Sequence, residues 1–435
     1  MLKRLKVWWM LGALVLALTL ATGACGGGEE VPKEGEVAWG FMFEESGGLL
    51  ENFGKPTGDG VELAVQEINA AGGFQVPKSG RSEYADGTVT PEDVLRKDPD
   101  GGTVYKIRLV KRDTRSDVQN TIAVATELVR DEQVNVIWGP ATVGEPQITP
   151  TTQRAKVLHF CPCQERETTA LSSVEKAQGE SHWAFQTLLP FSLLIEQGAK
   201  NFLEDYPDFK TMAFLCLNNE TGRDICERTK AAYEKVGIEV VGDIQYFPVG
   251  TTDYSPFLTR IRQGDPDYLF NFDNPPNDTA IVRQALQQGI GRLHIVTVPA
   301  NIVEQLVGVP LTVPVTAGAC CRQHVQPTSP EAAEYFDRYA TFLGGRDKLP
   351  FVPFVSLLTY DYVYMLAAAM QQAGTVEDTT AIADALEDLH YDGVSENDLF
   401  FNPRHLAVHG TDPCTVQTGQ PIVCEHVDPP PEAAE

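Results

Sequence analysis

The sequence predicts an α/β protein folded as two lobes, each a mostly parallel sheet covered by helices on both faces. Three observations carry the prediction. Short apolar runs alternate with amphipathic stretches of helical length, the pattern of βαβ units. The alternation falls into two series, one over residues 35–160 and another from 191 onward. And 435 residues are too many for one core but suit two domains. With 43% hydrophobic and 22% charged residues, the composition is that of an ordinary globular chain able to bury both cores.

The first 24 residues stand apart. Lys3, Arg4 and Lys6 precede an apolar run from Val7 to Ala21, and Thr22-Gly23-Ala24 leads into Cys25. A basic start, an apolar run too short for an ordinary span and a small-residue end describe an export signal. A cysteine directly after the small residues resembles a bacterial lipoprotein signal. That resemblance implies cleavage before Cys25, lipidation of its thiol, and a protein held at the extracytoplasmic face of a membrane. An ordinary cleaved signal, with Cys25 an incidental thiol, is the alternative. Residues 25–35 then form a linker.

The elements follow in order. Gly35 to Phe43 is a short apolar run, as expected of a strand buried on both faces. From about Pro56 a helix carries Val61, Ala64, Val65 and Ile68 at helical spacing, and Gly72-Gly73 stops it. Residues 74–102 are polar and rich in Gly, Pro, Asp and Lys, which reads as a surface insertion. Tyr105, Ile107 and Leu109 alternate with charged neighbours as a strand. A helix over 117–131, a strand at 134–138, a Gly139-Pro140 turn, a helix near 145–155 and a strand at 157–160 complete the first series. The second has helices at 191–205, 223–236, 255–264 and 277–289, with strands at 211–217, 239–245, 267–272 and 293–298. Residues 315–322 are expected to cross back to the first lobe, which helices at 330–343 and 354–373 complete. His426 to Glu435, with three consecutive prolines, is expected to be a flexible tail.

The net charge of -26 disfavours nucleic acid and anionic lipid headgroups as partners, so membrane contact is expected to come from the lipid. Beyond Cys25 there are eight cysteines, an even number that in an exported chain favours disulfides over metal ligands. Cys414 and Cys424 bracket a turn-rich segment and are the first candidate pair; Cys216 and Cys226 are the second. Cys161/Cys163 and Cys320/Cys321 either bridge to one another or stay buried and reduced.

The segment from Gly58 to Gly73, GDGVELAVQEINAAGG, resembles the corresponding helix of leucine/isoleucine/valine-binding proteins, the type I periplasmic solute-binding proteins of ABC importers. Further matches follow in the same order: Leu109 to Asp113, Val136-Ile137-Trp138-Gly139-Pro140, Thr252 to Phe257, Asp267-Tyr268-Leu269 and Tyr360-Asp361. The resemblance spans residues 36–410. It implies two Rossmann-like lobes, the type I periplasmic-binding-protein fold, joined by three crossovers and closing on a ligand in the interlobe cleft. The expected N-terminal lobe takes 36–188 and 323–390; the C-terminal lobe takes 189–322 and 391–425. It also implies a small polar solute, an amino acid or amide, as ligand, permease subunits as membrane partners, a monomer and no cofactor.

Ligands of such sheets bind beyond the carboxyl ends of the strands, so the loops there supply the candidate residues. Phe53 matches an aromatic that walls the cleft in relatives; the alternative is a staple on the first helix. Thr142, with the amides of Val143 and Gly144 at a helix start, suits a ligand carboxylate, as related proteins use this loop; helix capping is the alternative. In the loop from Cys161 to Glu165, Cys163 is a candidate to line the site and Glu165 stands where the family has a hydroxyl, suited to an ammonium group; a surface glutamate with no role is the alternative. From the second lobe, Thr221 and the pair Asp273-Asn274 follow strand ends; ordinary turn chemistry is the alternative for each.

Enzyme motifs are absent: there is no G-x-S-x-G, P-loop or H-E-x-x-H, and the eight histidines are not spaced as a zinc set, so no catalytic residue or metal is expected. Cys161-Pro162-Cys163 is C-x-C, not the C-x-x-C of thiol oxidoreductases. A ligand-sensing receptor and a thiol-disulfide enzyme are the rival classes.

Overall fold

The computed structural model describes residues 33–47, 53–80, 88–98, 101–141, 144–162, 183–188, 195, 199–200, 203, 206–218, 220–248, 250–272, 278–290, 292–296, 315–318, 327–350, 353–412, 414–416, 419–429 and 431. They form two α/β units, as the alternation predicts.

The first sheet is built on β1 (Lys33–Phe43), which pairs in parallel with β3 (Gly102–Asp113) on one side and β4 (Val136–Trp138) on the other. β5 (Leu158–Cys161) and β6 (Ala184–Gln186) continue the parallel series and β2 (Phe74–Pro77) forms the other edge, giving the order β2-β3-β1-β4-β5-β6. Strand alternation divides the residues of β1 between two cores. Val37, Trp39, Phe41 and Phe43 join the larger one, while Met42 faces the smaller one with Val124, Ala125 and Leu128 of α3 (Val118–Arg130).

α1 (Lys55–Ala70) lies on the larger core, and its Asn69 holds β3 by both ends of its amide: Nδ2 donates to the Ile107 carbonyl at 2.7 Å, and Oδ1 accepts from the Ile107 amide at 2.9 Å. The Asn in the helix-ending motif is thus a fastener between helix and sheet. α8 (Pro330–Leu343), α9 (Phe354–Ala373) and α10 (Thr379–Glu387) return to this lobe, and α9 is buried from Phe354 to Gln371. α1 and α9 approach so closely that a Cβ on Gly60 would stand 2.1 Å from the Ser356 carbonyl oxygen, so only glycine fits there.

The second sheet runs β16-β15-β12-β11-β10-β7-β8, with β9 also on β7. Its parallel strands are β7 (Thr211–Leu217), β8 (Glu239–Val240), β9 (Gln245–Phe247), β10 (Tyr268–Phe272), β11 (Arg292–Val296) and β12 (Val315–Gly318). Helices α5 (Glu220–Lys235), α6 (Ser255–Gln263) and α7 (Asp278–Gln287) connect them. β15 (Cys414–Val416) and β16 (Val423–Cys424) close one edge in antiparallel fashion. Both candidate disulfides form: Cys216–Cys226 joins β7 to α5, and Cys414–Cys424 joins β15 to β16.

Five expectations are corrected. Residues 74–102 are no surface insertion: Phe74–Pro77 is strand β2, antiparallel to β3, and Pro91–Leu95 is helix α2, whose Val94 joins the larger core with Phe74, Val76 and Val89. Residues 315–318 do not yet cross back but form β12, parallel to β11. The single strand expected over 239–245 is two short ones, β8 and β9. Residues 391–408, expected in the second lobe, pack on the first: Tyr391, Val394, Leu399, Phe401 and Ala407 belong to its core, with strands β13 (Phe400–Phe401) and β14 (Ala407–Val408) among them. The tail does not fray at once, because Val427 exchanges two backbone hydrogen bonds with Thr411. No helix among the described residues is long and apolar enough to cross a membrane.

Candidate ligand-binding site

In each sheet the chain order reverses beside a central strand. β1 lies between β3 and β4 in the first, and β7 between β8 and β10 in the second. Flanking loops leave a crevice beyond the carboxyl ends at such points. In the first lobe those ends are Glu44 and Gly139.

Gly139 has φ +93°, and a Cβ there would stand 2.3 Å from the Met42 carbonyl oxygen, so glycine alone lets the β4 loop close onto β1. His159 of β5 fixes the same turn, its Nε2 donating to the Gly139 carbonyl at 2.8 Å. Complete burial, which that bond only partly offsets, pulls the His159 pKa down to about 4, so the ring is neutral at physiological pH. Glu44, fully buried, accepts from the Ala141 amide at 3.1 Å. One amide of the loop expected to hold an anion is therefore already engaged by the protein's own carboxylate.

α4 (Glu145–Ala155) starts at Gly144, which has φ +87° and lies against Thr121. Glu145, in its first turn, is buried and accepts from Thr149 Oγ1 at 3.2 Å. Ligand-type atoms of Glu145, His159 and Cys161 lie within 4.8 Å of one another. Cys161 is disulfide-bonded, however, so its sulfur offers no thiolate to a metal and no nucleophile to a redox reaction. Its partner cysteine lies outside the described residues.

At the ends of β1 and β3, Asp113 gathers the loop that follows β1. It accepts from the amides of Glu45 (3.0 Å), Ser46 (3.1 Å) and Arg115 (2.8 Å) and from Ser46 Oγ (2.6 Å). Burial opposes its charge, but these bonds prevail and hold its pKa below the usual carboxylate range. Glu45 moves the other way: burial raises its pKa, aided by Glu62 and Asp113 and opposed by Lys111.

Phe53 is half-buried against the first core, and its carbonyl accepts from Thr57 Oγ1 at 2.6 Å at the start of α1. Gly144 is where the sequence predicts, at the head of α4. Thr221 is not in a loop, as expected, but in the first turn of α5. Cys25, Thr142, Val143, Cys163, Glu165, Asp273 and Asn274 lie outside the described residues, the last two just beyond the end of β10. Sequence reasoning missed Glu44, Glu145 and His159. Glu44 directly follows β1, Glu145 opens α4 and His159 lies within β5; a polar residue placed next to or inside an apolar run was the available signal.

The family profile described as periplasmic binding protein matches residues 40–420. No curated protein matches the chain. Among solved structures, a leucine binding protein LivK from Thermotoga maritima is 17% identical with a TM-score of 0.66, covering 91% of this chain and 99% of its own. The branched-chain amino acid transporter substrate binding protein LivJ from Streptococcus pneumoniae, in complex with isoleucine, is 20% identical with a TM-score of 0.68, covering 91% and 100%. A solute binding protein of an ABC transporter from Rhodopseudomonas palustris BisB5, in complex with 3,4-dihydroxy benzoic acid, is 17% identical with a TM-score of 0.64, covering 91% and 98%. At these identities the likeness shows the fold.

Proposed function

The chain belongs to the periplasmic binding protein family, and on that premise we propose that it is the lipid-anchored, extracytoplasmic solute-binding subunit of a branched-chain-amino-acid-type ABC importer. It takes a small polar solute, an amino acid or amide, between the lobes and delivers it to permease subunits, itself catalysing nothing. Cys25 carries the lipid, and the protein acts as a monomer. The observation that carries the reading is the family match across 40–420, joined to two sheets that each reverse their strand order beside a central strand.

The ligands in two of the neighbours, isoleucine and 3,4-dihydroxy benzoic acid, share a carboxyl group. In this chain Thr142 and the amides of Val143 and Gly144 hold that group at the head of α4, where the helix dipole favours an anion. Glu165 or Asp273 pairs with an ammonium where the solute has one. Phe53 supplies an apolar wall, Cys163 lines the first-lobe side, and Thr221 and Asn274 contact the solute from the second lobe.

A thermal-shift screen against amino acids, amides, urea and aromatic acids tests the reading, since a ligand that binds only the native state raises the melting temperature. With the strongest binder identified, Thr142→Val is expected to weaken affinity by about 1–3 kcal/mol while leaving the unliganded melting temperature unchanged. Unaltered affinity, measured by calorimetry, removes Thr142 from the site. A screen in which no solute shifts the melt removes the binding function itself.

A further inference from the structure

The segment after the last disulfide reaches back to the passage between the lobes. β14 ends at Val408 in the first lobe and β15 begins at Cys414 in the second sheet, so residues 409–413 are a crossover. The return passage, from β12 to α8, contains Thr328, whose hydroxyl donates to Asp412 Oδ2 at 2.5 Å. Two of the chain's crossovers therefore touch at Asp412.

Onto this point the tail folds. Thr411 and Val427 exchange backbone hydrogen bonds of 2.9 and 2.8 Å. His426 Nδ1 stands 2.8 Å from Asp412 Oδ1, and its Nε2 stands 3.4 Å from Glu396 Oε1 and 3.5 Å from Asp428 Oδ1. Asp412 and Glu396 are both buried. Glu396 lies between Val394 and Leu399 of the first core, and its other oxygen accepts from the Gly410 amide at 2.7 Å. Cys424, two residues before His426, belongs to a second-lobe core and is bonded to Cys414. One imidazole thus joins a segment rooted in the second lobe to a carboxylate rooted in the first.

We propose that the tail is a clasp on the hinge, with His426 as its pin: protonated, it binds Asp412, Glu396 and Asp428 together and restrains opening of the lobes; neutral, it lets the crossover flex. The clasp is independent of which solute binds. Histidine is the side chain that ordinarily senses pH through its proton, and loss of that proton as pH rises weakens the restraint. The other titratable group against His426 is His409. Burial lowers its pKa, the Gly410 carbonyl and Glu396 oppose this, and His426 adds to it, so His409 does not supply the pin's charge at neutral pH.

The test is hydrogen exchange by mass spectrometry on the ligand-free mature chain, corrected for intrinsic rates, beside its radius of gyration by small-angle scattering. Opening at the amides of Gly410, Thr411 and Val427 is expected to be at least about threefold more frequent at about pH 8 than at about pH 5.5, with no such change in β1 or β3. The radius of gyration rises in step. His426→Gln is expected to show the high-pH opening and radius at both pH values, and Asp428→Asn to show an intermediate difference. Exchange in the wild type that is indifferent to pH overturns the clasp, as does a His426→Gln chain that keeps the full difference. Exchange that changes while the radius stays fixed overturns control of the hinge. The wild-type series and Asp428→Asn decide the matter if His426→Gln does not fold.

Discussion

The two lobes share a plan but hold themselves together differently. The first gathers most of its apolar surface on one face of its sheet, around the buried α9 and an aromatic ladder. In that ladder Phe160 stacks between Trp138 and Phe185 at centroid distances of 4.5 and 5.2 Å, and Phe185 stacks on His405 at 4.0 Å. The second lobe divides its apolar residues between the two faces. Met212, Phe214, Tyr268, Phe270 and Phe272 meet α5 on one; Ala213, Leu215, Leu217 and Leu269 meet α6 and α7 on the other. Each of these smaller cores contains one disulfide: Cys216–Cys226 in the first and Cys414–Cys424 in the second. The first lobe has a disulfide too, at Cys161 of β5, but its large core rests on packed volume, whereas each thin core of its partner holds a covalent tie of its own.

The largest effect is expected where volume matters most. Phe160→Ala should cost about 3–5 kcal/mol, measured by urea unfolding, because the ladder collapses only partially around the missing ring. A cost below about 1 kcal/mol would mean that the first lobe does not depend on dense packing. Next comes the covalent side of the comparison. Replacing Cys216 and Cys226 together by alanine should cost about 2–4 kcal/mol, read as earlier unfolding of the second lobe. Should the pair prove neutral, the second lobe's cores suffice alone and the contrast fails.

A smaller effect sharpens the comparison by probing a polar anchor in the first lobe. Asp361 of α9 is fully buried and accepts from the Val394 amide at 3.1 Å and the Ser395 amide at 2.7 Å, with the Ser395 hydroxyl as a third donor. It pins residues 393–395 to the first lobe. Burial, only partly opposed by Ser395, the Val394 amide and Arg338, raises its pKa from 3.8 to about 7. The folded state therefore binds a proton that the unfolded chain releases over that interval. Its contribution to stability is greatest below 3.8 and falls as pH rises towards about 7. Asp361→Asn should cost about 1–3 kcal/mol at acidic pH and flatten this part of the pH profile. An unchanged slope would assign the pH dependence to other groups.

Much of the fold was legible because strong periodicity needs no tertiary information. The bounds of α8 and α9 match the expected helices residue for residue, and the two disulfides follow from cysteines set around one turn and at one strand end. What escaped was structure imposed from a distance. Phe74–Pro77 is too short and too near glycine and proline to announce a strand, and pairing with β3 makes it one. Gln75 adds to this, its side chain donating to the carbonyls of Asp98 and Gly101 and so tying a polar segment onto the lobe. The placement of 391–408 rests on Asp361, 33 positions away from Val394, which no local pattern announces. At the site, sequence order pointed only to the loops that follow the strands. The buried partners Glu44 and His159 depend on β1, β4 and β5 lying side by side, a proximity that only the assembled sheet creates.

β1 begins at Lys33 and runs in parallel with its neighbours towards the loops at their carboxyl ends. The polypeptide therefore enters the first lobe at the pole farthest from the crevice. Whatever grips the residues before Lys33 holds the first lobe by its back, away from the loops that follow its strands. On the proposed reading, a leash attached there leaves those loops unobstructed for incoming solute.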